Sequence, residues 1–521
     1  MTADEINKAK RGRIAALLAC CAFIGMAAMD IRAVDATDAY AEREPDADAA
    51  LANTFDNSRP NILFVAVDDL RPELGTYEQP HIHSPNIDEL AEQGTVFLRA
   101  YVQQAVCSPS RTSLLTGLRP DATGVWNLTT HFRENIPEVV TLPQHFKAHG
   151  YRSVGLGKIY HGGLDDAQSW SEPWWEPESA GGFNYLLREN IALAAKHPQG
   201  KGPAYEKADV PDNAYADGQL ADRAIGKLRE FARKKDSPFF LAVGFTKPHL
   251  PFNAPKKYWD LYDSEAIQLP TSSGPPKNTP DIALTNWGEL RSYYGMPREG
   301  GVSDENARIL KHAYYASVSY IDALVGRLLA EVDQLGLGDN TIVVLWGDHG
   351  FKLGEHGAWS KHTNFEIDTH APLIVSVPGS AQAGRSNALV EFVDIYPTLC
   401  ELAGLPKPTH LQGSSFARIL EDPNIPWKKA AFSQYPRGRT MGYSMRTNRY
   451  RYNLWKVRRP WYKDLIARPL GLDIAGMELY DHLNDPGETI NLADDPRYAE
   501  VLEQHQMMMS QGWKTMKPPK M

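Results

Sequence analysis

Short apolar runs that end in polar residues of the kinds catalysis uses constrain this chain more than any other feature. Ile62–Val67 runs into Asp68-Asp69, and Ser153–Leu156 runs into Lys158 and His161. Phe239–Phe245 runs into Lys247-Pro248-His249, and Ile342–Trp346 into Asp348-His349. Each run has the length and bounding turns of a buried strand, as does Leu373–Val377. Amphipathic stretches alternate with them. The longest, Asp304 to Leu335, carries Ile309, Ala313, Val318, Ile321, Leu324 and Leu328 at helical spacing. Such alternation predicts an α/β domain with a mainly parallel sheet. Ligands of open parallel sheets bind beyond the carboxyl ends of the strands, so these polar groups are expected to converge on one crevice. One strand-end Asp is often a turn or a cap. Four strands ending this way point to a site.

The 521 residues leave room for one large domain and a smaller one. A formal net charge of −9 argues against a general nucleic-acid binder, which needs a broad basic surface. Residues 1–36 read as an export signal: Lys8, Lys10, Arg11 and Arg13 precede an apolar run from Ile14 to Met29, then small residues such as Ala33 and Ala36. That run is short for a spanning helix, so cleavage is favoured over anchoring. Leu17-Leu18-Ala19-Cys20 also loosely resembles a lipoprotein cleavage box. The expectation is an exported protein, periplasmic or secreted. Residues 37–58, acidic and small, read as a disordered linker. Residues 59–424 read as the main domain. Residues 425–521, with short strand-like runs and a terminal amphipathic helix, read as a smaller α+β subdomain. Residues 165–217, rich in Trp, Pro, Gly and Asp, read as a long irregular excursion over the surface.

Asp68, Asp69, Asp348 and His349 form a candidate metal cradle, because carboxylates brought together repel unless a cation neutralises them. Oxygen-rich ligation favours calcium or magnesium, and the imidazole leaves manganese or zinc open. With Cys20 and Cys21 in the signal, Cys107 and Cys400 remain, too few for a disulfide framework. Cys400, in an apolar stretch, reads as a buried small hydrophobe. Cys107 opens the run Cys107-Ser108-Pro109-Ser110-Arg111. Pro109 suits a first helical turn and Gly117 its end, which sets Cys107 at a helix N-terminus. There the free N–H groups and the macrodipole attract an anion, and Arg111 one turn on adds a charge-assisted clamp. A phosphatase-style loop wants an Arg six residues after the Cys, and Ser113 stands there.

Cys107-Ser108-Pro109-Ser110-Arg111 with Leu115-Thr116-Gly117 resembles the sulfatase signature, whose Cys a maturation enzyme oxidises to formylglycine. The likeness extends over most of the chain after Arg59, through Val67-Asp68-Asp69, Gly157-Lys158, Gly347-Asp348-His349-Gly350 and Glu478-Leu479-Tyr480-Asp481. Gly157-Lys158-Ile159-Tyr160-His161, Lys247-Pro248-His249-Leu250-Pro251-Phe252, Leu353-Gly354-Glu355-His356-Gly357 and Trp359-Ser360-Lys361 resemble the iduronate-2-sulfatase branch. The resemblance implies an alkaline-phosphatase-like α/β domain with a C-terminal subdomain, a calcium ion, and a preference for sulfated sugars, often at the 2-position. It implies that Asp68, Asp69, Asp348, His349 and the formylglycine at Cys107 hold the metal, with Mg2+ or Mn2+ as less favoured occupants. On the mechanism this resemblance implies, one hydroxyl of the hydrated formylglycine would attack sulfur while the metal and Arg111 stabilise charge. His161 would help deprotonate the other, which expels sulfate. Lys158 and Lys361 would bind sulfate oxygens, and His249 would protonate the departing sugar oxygen.

Residues 437–468 hold ten Lys and Arg against one acid, Asp464, with Tyr and Trp interleaved. Arginine clamps with aromatic faces suit a polyanionic sugar chain, and an ion-paired interface or a solvated basic face fits the same composition. Two alternatives to a sulfatase remain at this level: a phosphonate or phosphate ester hydrolase of the same superfamily, and a catalytically silent carbohydrate-binding relative. The exact sugar and the oligomeric state are left open.

Overall fold

The structure, a computed structural model, describes residues 59–178, 185–234, 237–379, 384–458 and 473–519. The expected export signal and linker lie outside these residues, as do Arg459, Trp461, Tyr462, Lys463 and Arg468 of the basic segment.

Seven strands form the central sheet: β1 (Asn61–Val67), β2 (Thr95–Phe97), β3 (Arg152–Gly157), β4 (Phe239–Phe245), β5 (Thr341–Gly347), β6 (Leu373–Ser376) and β7 (Gly384–Ser386), in the spatial order β7-β2-β6-β5-β1-β4-β3. β3, β4, β1 and β5 are parallel neighbours, and β6 alone runs against the others. Every residue of β1, β4 and β5 is buried. These strands therefore read as unbroken apolar runs, as a sheet covered on both faces requires. Leu63, Val65 and Val67 face a core that includes α2 (Ala216–Arg233) and α3 (Asp304–Gln334). Ile62, Phe64 and Ala66 face a second core with α1 (Cys107–Thr116) and α4 (Ile395–Leu402). Fully burying one such side chain stabilises the fold by roughly 1.5–3 kcal/mol. α3 starts where Ser303 accepts a hydrogen bond from the Asn306 N–H, and Asp304 and Glu305 meet the positive end of its dipole.

A smaller antiparallel sheet of β8 (Ala431–Arg437), β9 (Thr440–Arg446), β10 (Tyr450–Val457) and β11 (Ile474–Asp481) comes next, with the helix α5 (Ala499–Gln511) beside it. The expected irregular excursion is partly regular. It holds a helix, Arg188–Lys196, and a strand, Tyr205–Ala208, that pairs with Phe252–Pro255. Its partner strand lies outside the segment, which hid the pairing from composition.

The strand ends position the crevice. Gly157 pairs with Gly244 where β3 and β4 finish, and the Lys158 N–H donates to the Gly244 carbonyl at 2.8 Å. A Cβ on Gly244 would stand 2.2 Å from the Lys158 carbonyl oxygen, so glycine is what lets these two strand ends close.

Candidate active site

Cys107 is the first residue of α1, and Gly117 ends that helix in the left-handed region at φ 67°. The sequence places both by local chemistry: Pro109 cannot donate an intrahelical hydrogen bond and Gly117 has no Cβ to clash. The thiol is buried, with Sγ 3.4 Å from His349 Nε2 and 3.8 Å from Lys158 Nζ. Burial and the adjacent Asp68 carboxylate push the Cys107 thiol well above its ordinary pKa. An unmodified Cys107 is therefore a poor thiolate nucleophile.

Asp68 and Asp69 leave β1, and Asp348 and His349 leave β5, at adjacent strand ends. All four are wholly buried. Asp69, at φ 60°, donates its N–H to Asp348 Oδ1 at 2.9 Å. Arg111 donates Nε to Asp348 at 2.9 Å and Nη2 to Asp68 at 3.0 Å, while its guanidinium packs 5.5 Å from the Trp346 ring centroid. Lys158 Nζ reaches Asp68 Oδ2, and Lys361 Nζ reaches both oxygens of Asp69 at 2.9 Å. Burial alone would raise the Asp68 pKa. Lys158, His249 and Arg111 outweigh it and hold the carboxyl well below the usual range. Lys361 is flanked by Ser360 at φ 68° and His362 at φ 91°, left-handed conformations that cost non-glycine residues of order 1–3 kcal/mol and cluster at functional sites.

These residues fit a metal ion. His349 Nδ1 donates to the Gly350 carbonyl at 2.9 Å, an assignment from hydrogen-bond geometry, which leaves Nε2 with a lone pair. That lone pair stands 3.4 Å from Asp69 Oδ1 and 3.7 Å from Asp348 Oδ1, as well as beside the Cys107 sulfur. Acceptors facing acceptors need a cation between them. One ligand atom each from Cys107, Asp348 and His349 falls within 4.8 Å, and the same holds for Asp68, Asp69, Cys107 and His249. The oxygen-rich set suits a hard divalent ion.

His249 Nδ1 donates to the Leu250 carbonyl at 2.7 Å, which leaves Nε2 as the nitrogen that meets the site's carboxylates. Nε2 lies 3.1 Å from Glu289 and 3.9 Å from Asp69. Lys247 clamps this loop by donating Nζ to the carbonyls of His249 at 2.8 Å and Pro251 at 2.7 Å. His161 lines the same cavity as Lys158 and His249, and its Nδ1 has no hydrogen-bond partner among the described residues. Burial and Lys158 lower the His161 pKa to about 3, which keeps the imidazole neutral. The ten expected site residues thus come together around the ends of β1, β3, β4 and β5, with His161 on the lining of the adjoining cavity.

Glu289 has no counterpart among the residues expected from sequence. It sits in a four-residue helix, Gly288–Arg291, and bridges Lys361 at 3.0 Å to His249 at 3.1 Å. Its stretch carries neither periodicity nor motif, so only the folded chain reveals it.

The basic segment is largely committed to internal partners. Arg446 meets Glu366 at 3.0 Å, Arg451 meets Glu488 at 2.7 Å, and Arg449 meets Asp481 at 2.7 Å. Arg437 donates to the Leu284 carbonyl at 3.1 Å. Arg458 stacks 4.1 Å over Trp126 and keeps a loose 3.9 Å contact with Asp121. The ion-paired interface is the reading that describes Arg446 and Arg451, which both reach Glu366 outside the small sheet, whereas Arg449 pairs within that sheet.

A mostly parallel seven-stranded sheet with flanking helices and a small antiparallel C-terminal sheet is the alkaline-phosphatase-like architecture of sulfatases. The "Sulfatase" family model matches residues 60–405, and "N-sulphoglucosamine sulphohydrolase, C-terminal" matches residues 354–514. The chain belongs to the sulfatase family and is iduronate-2-sulfatase-like within it. It is 34% identical to iduronate 2-sulfatase of Homo sapiens, over 85% of this chain and 92% of that one. It is 31% identical to a sulfatase of Formosa agariphila, over 85% of each. Among solved structures, a 2-O GAG sulfatase superposes with a TM-score of 0.64 at 22% identity, covering 89% of this chain and 95% of that one. The phosphonate monoester hydrolase of Agrobacterium radiobacter gives 0.68, also at 22% identity, covering 87% and 95%. At these identities the two superpositions establish the shared fold.

Proposed function

We propose that this sulfatase hydrolyses O-sulfate esters on a sulfated sugar, a 2-O-sulfated residue of a polysaccharide or its oligosaccharides. The observation that carries the reading is the meeting of Cys107, at the N-terminus of α1, with three buried carboxylates, His349 and the ammonium groups of Lys158 and Lys361. The iduronate 2-sulfatase relative supports the sugar class. Residue 107 acts as formylglycine, made by a maturation enzyme. Its hydrate offers two hydroxyls on one carbon, so that one can bond to sulfur and the other can drive release. Asp68, Asp69, Asp348 and His349, with residue 107, hold a Ca2+ that supplies Lewis-acid charge stabilisation.

The chain's own groups do the rest. Lys158 and Lys361 bind the sulfate oxygens, and Arg111 fixes the carboxylates behind them. His249 Nε2 gives its proton to the departing sugar oxygen, a poor leaving group without one. His161 has the role of helping to deprotonate the hydrate. The N-terminal segment directs export to the periplasm or beyond.

A screen of defined sulfated oligosaccharides, with released sulfate measured, tests the reading, and an aryl sulfate and an aryl phosphate are run beside it. Sulfate release from 2-O-sulfated members, with aryl sulfate favoured over aryl phosphate, is expected. A preference for the phosphate assigns the chain to the ester-hydrolase alternative, and no turnover at all assigns it to a silent binder.

A further inference from the structure

The surroundings of the crevice are not uniformly basic. A cavity of about 510 Å³ opens beside Lys158, His161 and His249 and extends to Trp174 and Glu176. Its cations are committed elsewhere. Lys158 contacts Asp68 and, in the sulfatase reading, meets the reacting sulfate, and Lys247 spends its ammonium on two backbone carbonyls. Asp165, also on the lining, accepts from the Trp170 indole at 3.0 Å. Glu176 is different: partial burial raises its pKa, and no charged group among the described residues offsets that.

Backbone pairing fixes where Glu176 stands. Trp175 N–H donates to the Gly155 carbonyl at 3.3 Å, and the Trp175 carbonyl accepts from Gly157 N–H at 2.8 Å. The Trp174 indole donates to the Gly157 carbonyl at 2.8 Å. Residues 174–175 thus extend the edge of β3 at its carboxyl end, and the next residue, Glu176, falls alongside Gly157-Lys158. A carboxylate is thus built into the rim, at the end of the cavity where Trp174 also stands. The rim therefore offers a negative charge to whatever enters the cavity.

We infer that this cavity receives the sugar next to the sulfated one, and that Glu176 makes it select a neighbour bearing hydroxyls or an ammonium group over one bearing a second sulfate. The inference rests on the sulfatase reading above. Repulsion of a like charge is a common way to set specificity, and here it acts on a neighbouring group remote from the sulfur chemistry.

The test uses three oligosaccharides that share one terminal sulfated residue and differ only in the adjacent amino sugar: free amine, N-acetyl and N-sulfo. Values of kcat/KM are taken at low and high salt and normalised to an aryl sulfate measured on the same preparation. The free amine should exceed the N-sulfo compound by about tenfold at low salt, and by less at high salt, because the rim is solvent-exposed. Glu176→Gln should erase the preference, mainly through KM, and Glu176→Lys should reverse it. An unchanged ratio in Glu176→Gln, with aryl sulfate still turned over, overturns the inference alone. Failure to cleave any sulfate ester, the aryl sulfate included, overturns the sulfatase reading and the inference with it.

Discussion

Arg111 donates Nε to Asp348 at 2.9 Å, and neither side chain is exposed to solvent. Its other arm reaches Asp68 at 3.0 Å, so one planar fork ties together carboxylates from the ends of β1 and β5. The guanidinium is thus half of a buried charge arrangement as well as a neighbour of residue 107. A lysine supplies the charge without the fork.

Arg111→Lys is therefore expected to lower kcat by about 10²–10³-fold, in the range seen when one preorganised donor is removed. Arg111→Ala should also destabilise the fold by about 3–5 kcal/mol, because it strands buried carboxylates. Steady-state kinetics with denaturant unfolding checks both. An Arg111→Lys enzyme with wild-type kcat would contradict the positioning role.

Asp348→Ala should lose both metal and turnover. Three carboxylates and an imidazole lone pair converge there, and Asp348 supplies two of the short contacts that shape the cradle. Metal content by elemental analysis, measured beside sulfate release, is expected to fall with the rate. An Asp348→Ala protein that keeps a stoichiometric ion and a normal rate refutes the cradle.

His249→Gln separates proton donation from sulfur chemistry. Nδ1 is fixed to the Leu250 carbonyl, so Nε2 is the nitrogen that can give a proton. The loss should be about 10²–10⁴-fold for a sugar sulfate, the usual span of general acid catalysis. An aryl sulfate with an acidic phenol leaves without that help and should lose far less. Equal losses on both substrates would remove His249 from the role of acid.

The strand-end residues were readable because strands buried on both faces write their bounds as apolar runs, and the polar residues just past each run must lie at one edge of the sheet. β6 was readable as a strand but not as antiparallel, since burial is the same in either direction. Cys107 and Gly117 were readable because Pro and Gly mark helix ends by local geometry. The basic segment was not. The partners of Arg446, Arg449 and Arg451 are Glu366, Asp481 and Glu488, all outside the 437–468 window, so composition showed the cations without their acids. Glu289 was hidden for the same reason: its meaning lies in Lys361 and His249, which only folding brings to it.

Acid should weaken the fold through His370. Burial lowers its pKa from the ordinary 6.5 to about 4, against the opposing pull of Glu366. Below about pH 6.5 the unfolded chain binds a proton that the folded imidazole refuses until about pH 4. Its contribution is thus intact above that window and declines as pH falls through it, by about 3 kcal/mol in all. Unfolding free energies from pH 7 to 4 should show this slope, and His370→Phe, which keeps a ring against Tyr101 and Tyr77, should flatten it. The same slope in the variant would place the acid sensitivity elsewhere.

The formylglycine mechanism is tested most directly by peptide mass spectrometry of residue 107 across preparations that differ in exposure to a maturation enzyme, each assayed for sulfate release. The specific rate should rise in proportion to the fraction carrying the aldehyde and approach zero for the thiol form. Full activity from protein that carries only the Cys107 thiol would contradict the mechanism.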